Sequence, residues 1–172
     1  MSTTQAPKRY SPLWVTLHWV IALLIFAAFY LGISTEDVPA VVKTVYLRWH
    51  MPLGITVLLL MLVRLFVRWR TPHPEPATVG NAFLDKIGEW THYLIYIFAI
   101  LMPLTGLVLS ATFNLAPVVF GGEGSLPRDL SPMLHGLIDP ILALLILLHI
   151  LAALYHQFIR KDNLLARMWY GK

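Results

Sequence analysis

Five histidines lie inside or at the edges of otherwise apolar runs: His18, His50, His92, His135 and His149. A sixth, His156, follows at the end of the last run. An ionisable group in such surroundings costs free energy and tends to be kept for function. Imidazole suits several tasks: it ligates metals through either ring nitrogen and exchanges protons near neutral pH. One histidine of this kind reads equally well as a structural hydrogen-bonding residue. Several at matching depths point instead to metal or cofactor ligation.

The ligand chemistry is narrowed by what is absent. There is no cysteine, which excludes disulfides, iron–sulfur clusters, thiolate metal sites and covalent haem attachment through C-x-x-C-H. A haem in this chain has to be held by non-covalent contacts and axial histidines. Zinc is the competing reading, but it requires three or four ligands converging on one point.

The elements that must carry these histidines are membrane helices. Hydrophobic residues make up 58% of the 172 and charged ones 13%, with a mean hydropathy of +0.68. Soluble domains carry roughly a quarter charged residues, so these few cannot cover a water-facing surface. Four apolar stretches predict helices over about 13–33, 47–69, 90–111 and 134–159. Each is near the ~20 residues needed to cross a bilayer at about 1.5 Å per residue. Inside lipid the backbone must satisfy its own hydrogen bonds, which makes all four helical. The expected fold is therefore all-α, a single four-helix transmembrane bundle over 1–172. The first run, from Trp14 to Gly32, is long enough to span and lacks a convincing cleavage site, so it is not read as a signal peptide.

The connections are expected to be polar. Ser34–Tyr46 reads as a short loop, Arg70–Glu89 contains the helix-breaking "TPHPEP", and Thr112–Met133 carries "GGEG", with at most a short interfacial helix. His73, within "TPHPEP", reads as solvated and without a role. No internal repeat is visible in the sequence.

Lysine and arginine placement sets the expected orientation. The side holding both termini receives Lys8, Arg9, Arg64, Arg68, Arg70, Lys86, Arg160, Lys161, Arg167 and Lys172; the other receives only Lys43, Arg48 and Arg128. This puts both termini in the cytoplasm, and Trp14, Trp19, Trp49, Trp69, Trp90 and Trp169 near helix ends form the aromatic belts. Net charge is +4, but the positive residues flank apolar runs and form no continuous stripe, so nucleic acid is rejected as a partner and membrane lipid favoured.

Topology then assigns depths. Helix one runs outward and helices two and four inward, so His18 pairs in depth with His149 near the cytoplasm, and His50 with His135 outside. His135 and His149 are fourteen residues apart, within 40° of four full turns. They project from nearly one face, roughly 21 Å apart along the axis. Two bis-histidine sites, one above the other, suit two haems and a transmembrane electron path. An iron with imidazole on both axial sides has no open position, which favours electron transfer over oxygen binding. Arg64, inside the second run, reads either as snorkelling to the interface or as a charge-assisted partner of a haem propionate. Arg48, beside His50, offers the same outside.

These residues resemble the bacterial cytochrome b561 family, of the di-haem superoxide:ubiquinone oxidoreductase type. The resemblance rests on "SPLWVTLHW" (Ser11–Trp19), "LRWHMPLG" (Leu47–Gly54), Arg64, "HYLIYIFAILMPLTGLVLS" (His92–Ser110), "LHGLIDP" (Leu134–Pro140), and His149 through "KDNLLARM" (Lys161–Met168). It implies a multi-pass protein of the bacterial inner membrane with two haem b groups, ligated at His18, His149, His50 and His135. It also implies an oxidoreductase that takes electrons from superoxide, or another outer donor, and delivers them to the quinone pool. Ubiquinone is the implied substrate. A quinone pocket near the cytoplasmic haem carries over onto His156, with His92 as a second candidate; both also read as interfacial or structural residues. One feature departs from a superoxide collector. The outer side sets Lys43, Arg48 and Arg128 against Glu36, Asp37, Glu123, Asp129 and Asp139, net −2, whereas steering an anion requires positive potential. Lys43 and Arg48 supply local positive charge near His50.

Two other functions fit parts of the pattern. A membrane cytochrome subunit could exchange electrons between quinone and a separate dehydrogenase or hydrogenase. A haem-free transporter or structural membrane protein would explain the helices and leave the paired histidines unexplained.

Overall fold

In the computed structural model, residues 9–122, 124–127 and 133–170 are described. Lys8, Glu123, Arg128, Asp129 and Lys172, used above to compare the charge of the two sides, lie outside the described residues.

Four long helices follow one another: α1 (Pro12–Ile33), α2 (Ala40–Arg70), α3 (Ala82–Thr112) and α4 (Met133–Leu154). All four are long and apolar enough to cross a membrane. The start of α1 is fixed by sequence. Ser11 is the N-cap, its hydroxyl accepting from the Trp14 amide at 3.3 Å, and Pro12 occupies the first turn, where its missing N–H leaves nothing unsatisfied. Asn81 caps α3 in the same manner, accepting from Phe83 and Leu84.

The helices are longer than their apolar segments. α2 and α3 each run 31 residues, about 46 Å at 1.5 Å per residue, against an expected start at 47 for α2 and 90 for α3. The added turns, 40–46 and 82–89, carry Lys43, Asp85, Lys86 and Glu89. The 82–89 turns are too polar for a hydropathy signal to include, whereas the 40–46 turns, with one charge at Lys43, follow directly on Glu36, Asp37 and Pro39, which read as a loop. In front of α3, the Asp85 carboxylate accepts from the Thr78 hydroxyl and the Val79 amide and ties the loop down.

Packing follows chain order. α1 packs on α2, α2 on α3, and α3 on α4. The buried core joins Trp14, Leu17 and Ile21 of α1 to Val57, Met61 and Val67 of α2, with Ala99 of α3 and Leu142 of α4. Apolar side chains cover the outside too: Leu23, Leu59 and Leu151 are each more than half exposed. A surface of that kind is stable only against lipid, since in water it would drive aggregation.

The first and last described segments, around Tyr10 and Tyr170, meet at one end of the bundle. The Tyr10 amide donates to the Arg167 carbonyl at 3.3 Å, Thr16 and Tyr170 share a hydroxyl contact of 2.7 Å, and the Trp19 indole donates to Met168 at 2.8 Å. The 71–81 loop joins them there, because Arg160 and Arg167 donate to the carbonyls of Thr78 and Glu75. This is the termini end. The far end carries the 34–39 turn and the segment after α3, where a π turn (Pro117–Gly121) buries Val119 completely. The described part of that connection thus contains the short helical piece expected of it.

α4 does not stop cleanly. It passes into a π turn (Tyr155–Arg160) closed by left-handed Lys161 and Asn163, then a 3₁₀ turn (Leu164–Met168). Single π turns of this kind recur at functional sites.

Candidate functional site

The four deep histidines fall into two facing pairs. His18 of α1 and His149 of α4 have ring centres 6.1 Å apart, near the termini end. His50 of α2 and His135 of α4 have ring centres 6.0 Å apart, toward the far end. The pairs are those expected from depth. Two imidazoles bound on opposite sides of one metal, each at about 2 Å, have ring centres roughly 6 Å apart. The spacing therefore fits an axial pair about an iron at both levels. Among the described residues, no three His, Cys, Asp or Glu side chains converge as a closed zinc site requires.

The far-end pair is held by the backbone. His50 Nδ1 lies 2.9 Å from the Ala28 carbonyl and His135 Nδ1 lies 3.1 Å from the Met102 carbonyl. A carbonyl can only accept, so both Nδ1 atoms carry the proton and both Nε2 lone pairs are left for a metal. Thr105 reinforces the second contact. Its hydroxyl donates to Met102 at 2.8 Å, and its oxygen accepts from His135 Nδ1 at 3.1 Å. Hydrogen bonds of this type fix the tautomer and ring orientation of metal-bound histidines. Glycine makes room for both rings. A Cβ at Gly32 would come within 3.2 Å of His50 Cε1, and one at Gly106 within 3.2 Å of His135 Cε1.

The termini-end pair is built differently. Among the described residues, neither His18 nor His149 has a hydrogen-bond partner; both are held by ring contacts. His18 packs edge-on to Trp19 at 5.2 Å, and His149 edge-on to His92 at 4.9 Å. His92 itself donates Nδ1–H to the Gly88 carbonyl at 2.7 Å. Arg64 adds positive charge to this level. It is only 9% exposed, and its guanidinium lies over the Trp14 ring at 4.6 Å while Nε donates to the Tyr96 hydroxyl at 2.9 Å. It turns into the bundle, which removes the snorkelling reading. Its Nη1 is buried with no partner. A buried guanidinium nitrogen without an acceptor fits an anionic group of a cofactor, such as a haem propionate.

His73 corrects one expectation. Rather than standing in solvent, its ring packs edge-on to Trp14 at 4.8 Å and Tyr10 at 6.0 Å, and Nε2 is buried without a partner. Burial, aided by the Arg68 charge, holds its pKa below the ordinary histidine value, so it is neutral at pH 7. The preceding proline-rich segment folds against α1 and carries the ring with it.

His156 sits in the π turn after α4 and is 8% exposed. Its Nδ1 donates to Asp162 Oδ2 at 2.5 Å. That bond holds the Asp162 carboxyl below the usual carboxylate range. Arg48, at the far end, is exposed and spends Nε on the Val119 carbonyl at 3.0 Å, anchoring the buried π turn.

A repeat not expected from the sequence reading emerges from these contacts. Fourteen residues separate His18 from Gly32 on α1 and His92 from Gly106 on α3, and likewise His50 from Arg64 on α2 and His135 from His149 on α4. In both hairpins the even helix's histidine bonds a carbonyl four residues before the odd helix's glycine. Ala28, Met102, Thr105, Gly32, Gly106, Tyr96 and Asp162 were missed from the sequence. The fourteen-residue His-to-Gly spacing was the available signal for the glycines.

Comparison with known proteins places nearly the whole chain in a family. The family described as prokaryotic cytochrome b561 matches over residues 9–171. The chain is 33% identical to cytochrome b562 of Cereibacter sphaeroides, over 96% of this chain and 97% of that one. It is 30% identical to a probable superoxide oxidase, CybB, of Yersinia pestis, over 94% and 96%, and 31% identical to cytochrome b561 homolog 1 of Escherichia coli, over 94% and 97%.

Proposed function

We propose that this chain, which belongs to the prokaryotic cytochrome b561 family, carries electrons across the membrane between two haem b groups, one ligated by His50 and His135 and the other by His18 and His149. Membrane electron transfer on haem b is the business of the family as a whole; the number of haems and their ligands are our reading. The observation that carries it is the pair of facing imidazoles at each level, 6.0 and 6.1 Å apart. Each haem, when bound, takes up and gives back one electron at a time. The chain's own part is to hold four imidazoles in place and to surround them with apolar helices that exclude water.

The charge pattern supports both termini lying in the cytoplasm of a bacterium, with the protein in its inner membrane. The far end then faces outward. The likeness to a probable superoxide oxidase supports superoxide as the outer donor. Two superoxide anions each lose one electron and leave as dioxygen; one ubiquinone takes the two electrons with two protons. Lys43 and Arg48 supply the positive charge at the entrance, and Arg48 retains its terminal nitrogens for the outer haem's propionate. Arg64 Nη1 is offered to a propionate of the inner one.

Protons for the quinone come from the termini end. His156 presents Nε2 while Asp162 holds Nδ1–H, so the ring can donate a proton from Nε2 and recover one with its orientation fixed. His92, beside His149, lines the same end and is the second residue assigned to the quinone.

Two measurements on the purified chain test this. A pyridine haemochrome assay is expected to give two haems b per chain, with a b-type alpha band in the reduced-minus-oxidised spectrum. Absence of haem returns the chain to the transporter or structural class. Superoxide-driven reduction of ubiquinone is expected from the chain alone; activity that appears only with an added dehydrogenase or hydrogenase makes it a cytochrome subunit instead.

A further inference from the structure

The two histidine levels differ in the groups buried beside them, and the difference has a direction. Neither Lys43 nor Arg48 at the far end is buried, so water screens their charge, while Arg64 is buried. At the far end, His50 and His135 both donate Nδ1–H to backbone carbonyls, and Thr105 adds a third acceptor. An imidazole that gives up part of its N–H proton becomes a more basic ligand and favours the more positive, ferric iron. Asp139 stands one helical turn after His135 on α4 and is the carboxyl group set toward His50, with Glu36 of the 34–39 turn near it. Negative charge also favours ferric iron. At the termini end neither ring has such an acceptor among the described residues, and the buried Arg64 guanidinium lies over Trp14, one helical turn before His18 on α1. A buried cation favours the ferrous state, whose charge is one unit less positive.

We infer that these residues order the two haems: Asp139 and the carbonyl-bonded pair His50 and His135 hold the far-end haem at the lower reduction potential, and Arg64 holds the termini-end haem at the higher one. Resting on the two-haem reading above, this makes transfer from the far end to the termini end downhill. With haem held at both levels, these residues would favour passage of one electron from the far-end level to the termini-end level, with no proton and no bond moved. The chain thus biases electrons toward the end that holds His156, whatever donor supplies them.

The test is a potentiometric titration of the purified holoprotein, following the alpha band, with the haem-to-protein ratio measured on the same sample. Two one-electron waves are expected. Asp139→Asn is expected to move only the lower wave, upward, and Arg64→Gln only the upper wave, downward. Each shift should correspond to a roughly three- to tenfold change in the ferrous-to-ferric ratio at a fixed applied potential. Arg64→Lys keeps the charge and is expected to leave the upper wave near its original place, which separates charge from packing. Asp139→Asn moving the upper wave, or neither wave, overturns the ordering, as does Arg64→Gln moving the lower one. If Arg64→Gln fails to retain haem, Asp139→Asn alone decides. Two haems with the wrong response sink the ordering only; one haem per chain sinks the two-haem reading and the ordering with it.

Discussion

The two histidine pairs have nearly the same ring separation and are supported by different means. The far-end pair is gripped by the backbone: two carbonyls orient the rings and two glycines make space for them. The termini-end pair is gripped by side chains: Trp19 beside His18 and His92 beside His149. Backbone support depends on helices approaching closely, which small residues permit. Side-chain support depends on particular chemistry and can be changed one residue at a time. The far-end level is therefore the more rigid and the termini-end level the more adjustable. That division suits the proposed path, with electrons received at the far end and coupled to protons at the termini end.

The largest expected effect breaks the pairing itself. His50→Ala and His135→Ala are each expected to lower the haem-to-protein ratio from two to one and to remove the same spectral component. His18→Ala and His149→Ala are expected to remove the other. If His50→Ala and His149→Ala eliminated one shared component, the pairs would have to be redrawn.

A smaller effect separates the two kinds of support. Gly106→Val places branched carbons where even a Cβ would sit 3.2 Å from the His135 ring. The ring cannot withdraw without losing Met102 and Thr105, and overpacking of this sort costs about 1–3 kcal/mol. Far-end haem occupancy is expected to fall roughly tenfold, with termini-end occupancy retained. Gly88→Ala is the control, since a Cβ there meets nothing within 4 Å. Equal losses from both substitutions would mean that glycine content, and not the ring contact, is what matters.

How much of this could be read from the sequence follows the same division. The four helices were legible because lipid imposes a length and a composition on any span. The pairing of His18 with His149 and His50 with His135 was legible because depth follows from topology and the helical rise. The supports were not. Ala28 and Met102 act through carbonyl groups, which every residue has, so nothing in their side chains marks them. Thr105 is one hydroxyl among many until α4 places His135 beside it. Arg64 was flagged, but whether it snorkels or turns inward depended on the Trp14 and Tyr96 rings packed around it. His73 looked solvated because its neighbours are prolines; only the fold shows that segment lying on Trp14. The start of α3 was missed because its first turns are helical and polar together, and that of α2 because Glu36, Asp37 and Pro39 just before it read as a loop.

At the termini end, His156→Ala is expected to leave both haems in place and to slow quinone reduction by about 10²-fold, the lower range for a positioned general acid. Loss of haem would make His156 part of the haem site instead. Asp162→Asn is milder, about tenfold, because the ring remains and only its orientation and proton recovery suffer. The pH behaviour follows from the depressed Asp162 pKa. A carboxylate with a lowered folded pKa contributes fully above its unfolded value of about 3.9, and the contribution fades only as pH falls through the lower folded value. The stability that Asp162 contributes, read as the difference in thermal midpoint between wild type and Asp162→Asn, should therefore be constant from about pH 5 to pH 8. A difference that shrinks within that window would show Asp162 titrating there and would break the His156–Asp162 assignment.

The smallest effect probes the far-end grip at its weakest member. Thr105→Val keeps the volume of the side chain and removes one of the two acceptors of the His135 Nδ1 proton, leaving Met102. A net hydrogen bond is worth about 1 kcal/mol, so far-end haem affinity is expected to drop by no more than about fivefold, with two haems still bound when haem is in excess. The more telling readout is spectroscopic. With one acceptor fewer, His135 should be the less basic ligand, and the low-spin ferric signal of the far-end haem should shift while the termini-end signal stays fixed. A shift of both signals would mean that the two levels are coupled through α4, which carries His135 and His149 on nearly one face, and the contrast between a backbone-held and a side-chain-held site would have to give way to a single rigid unit.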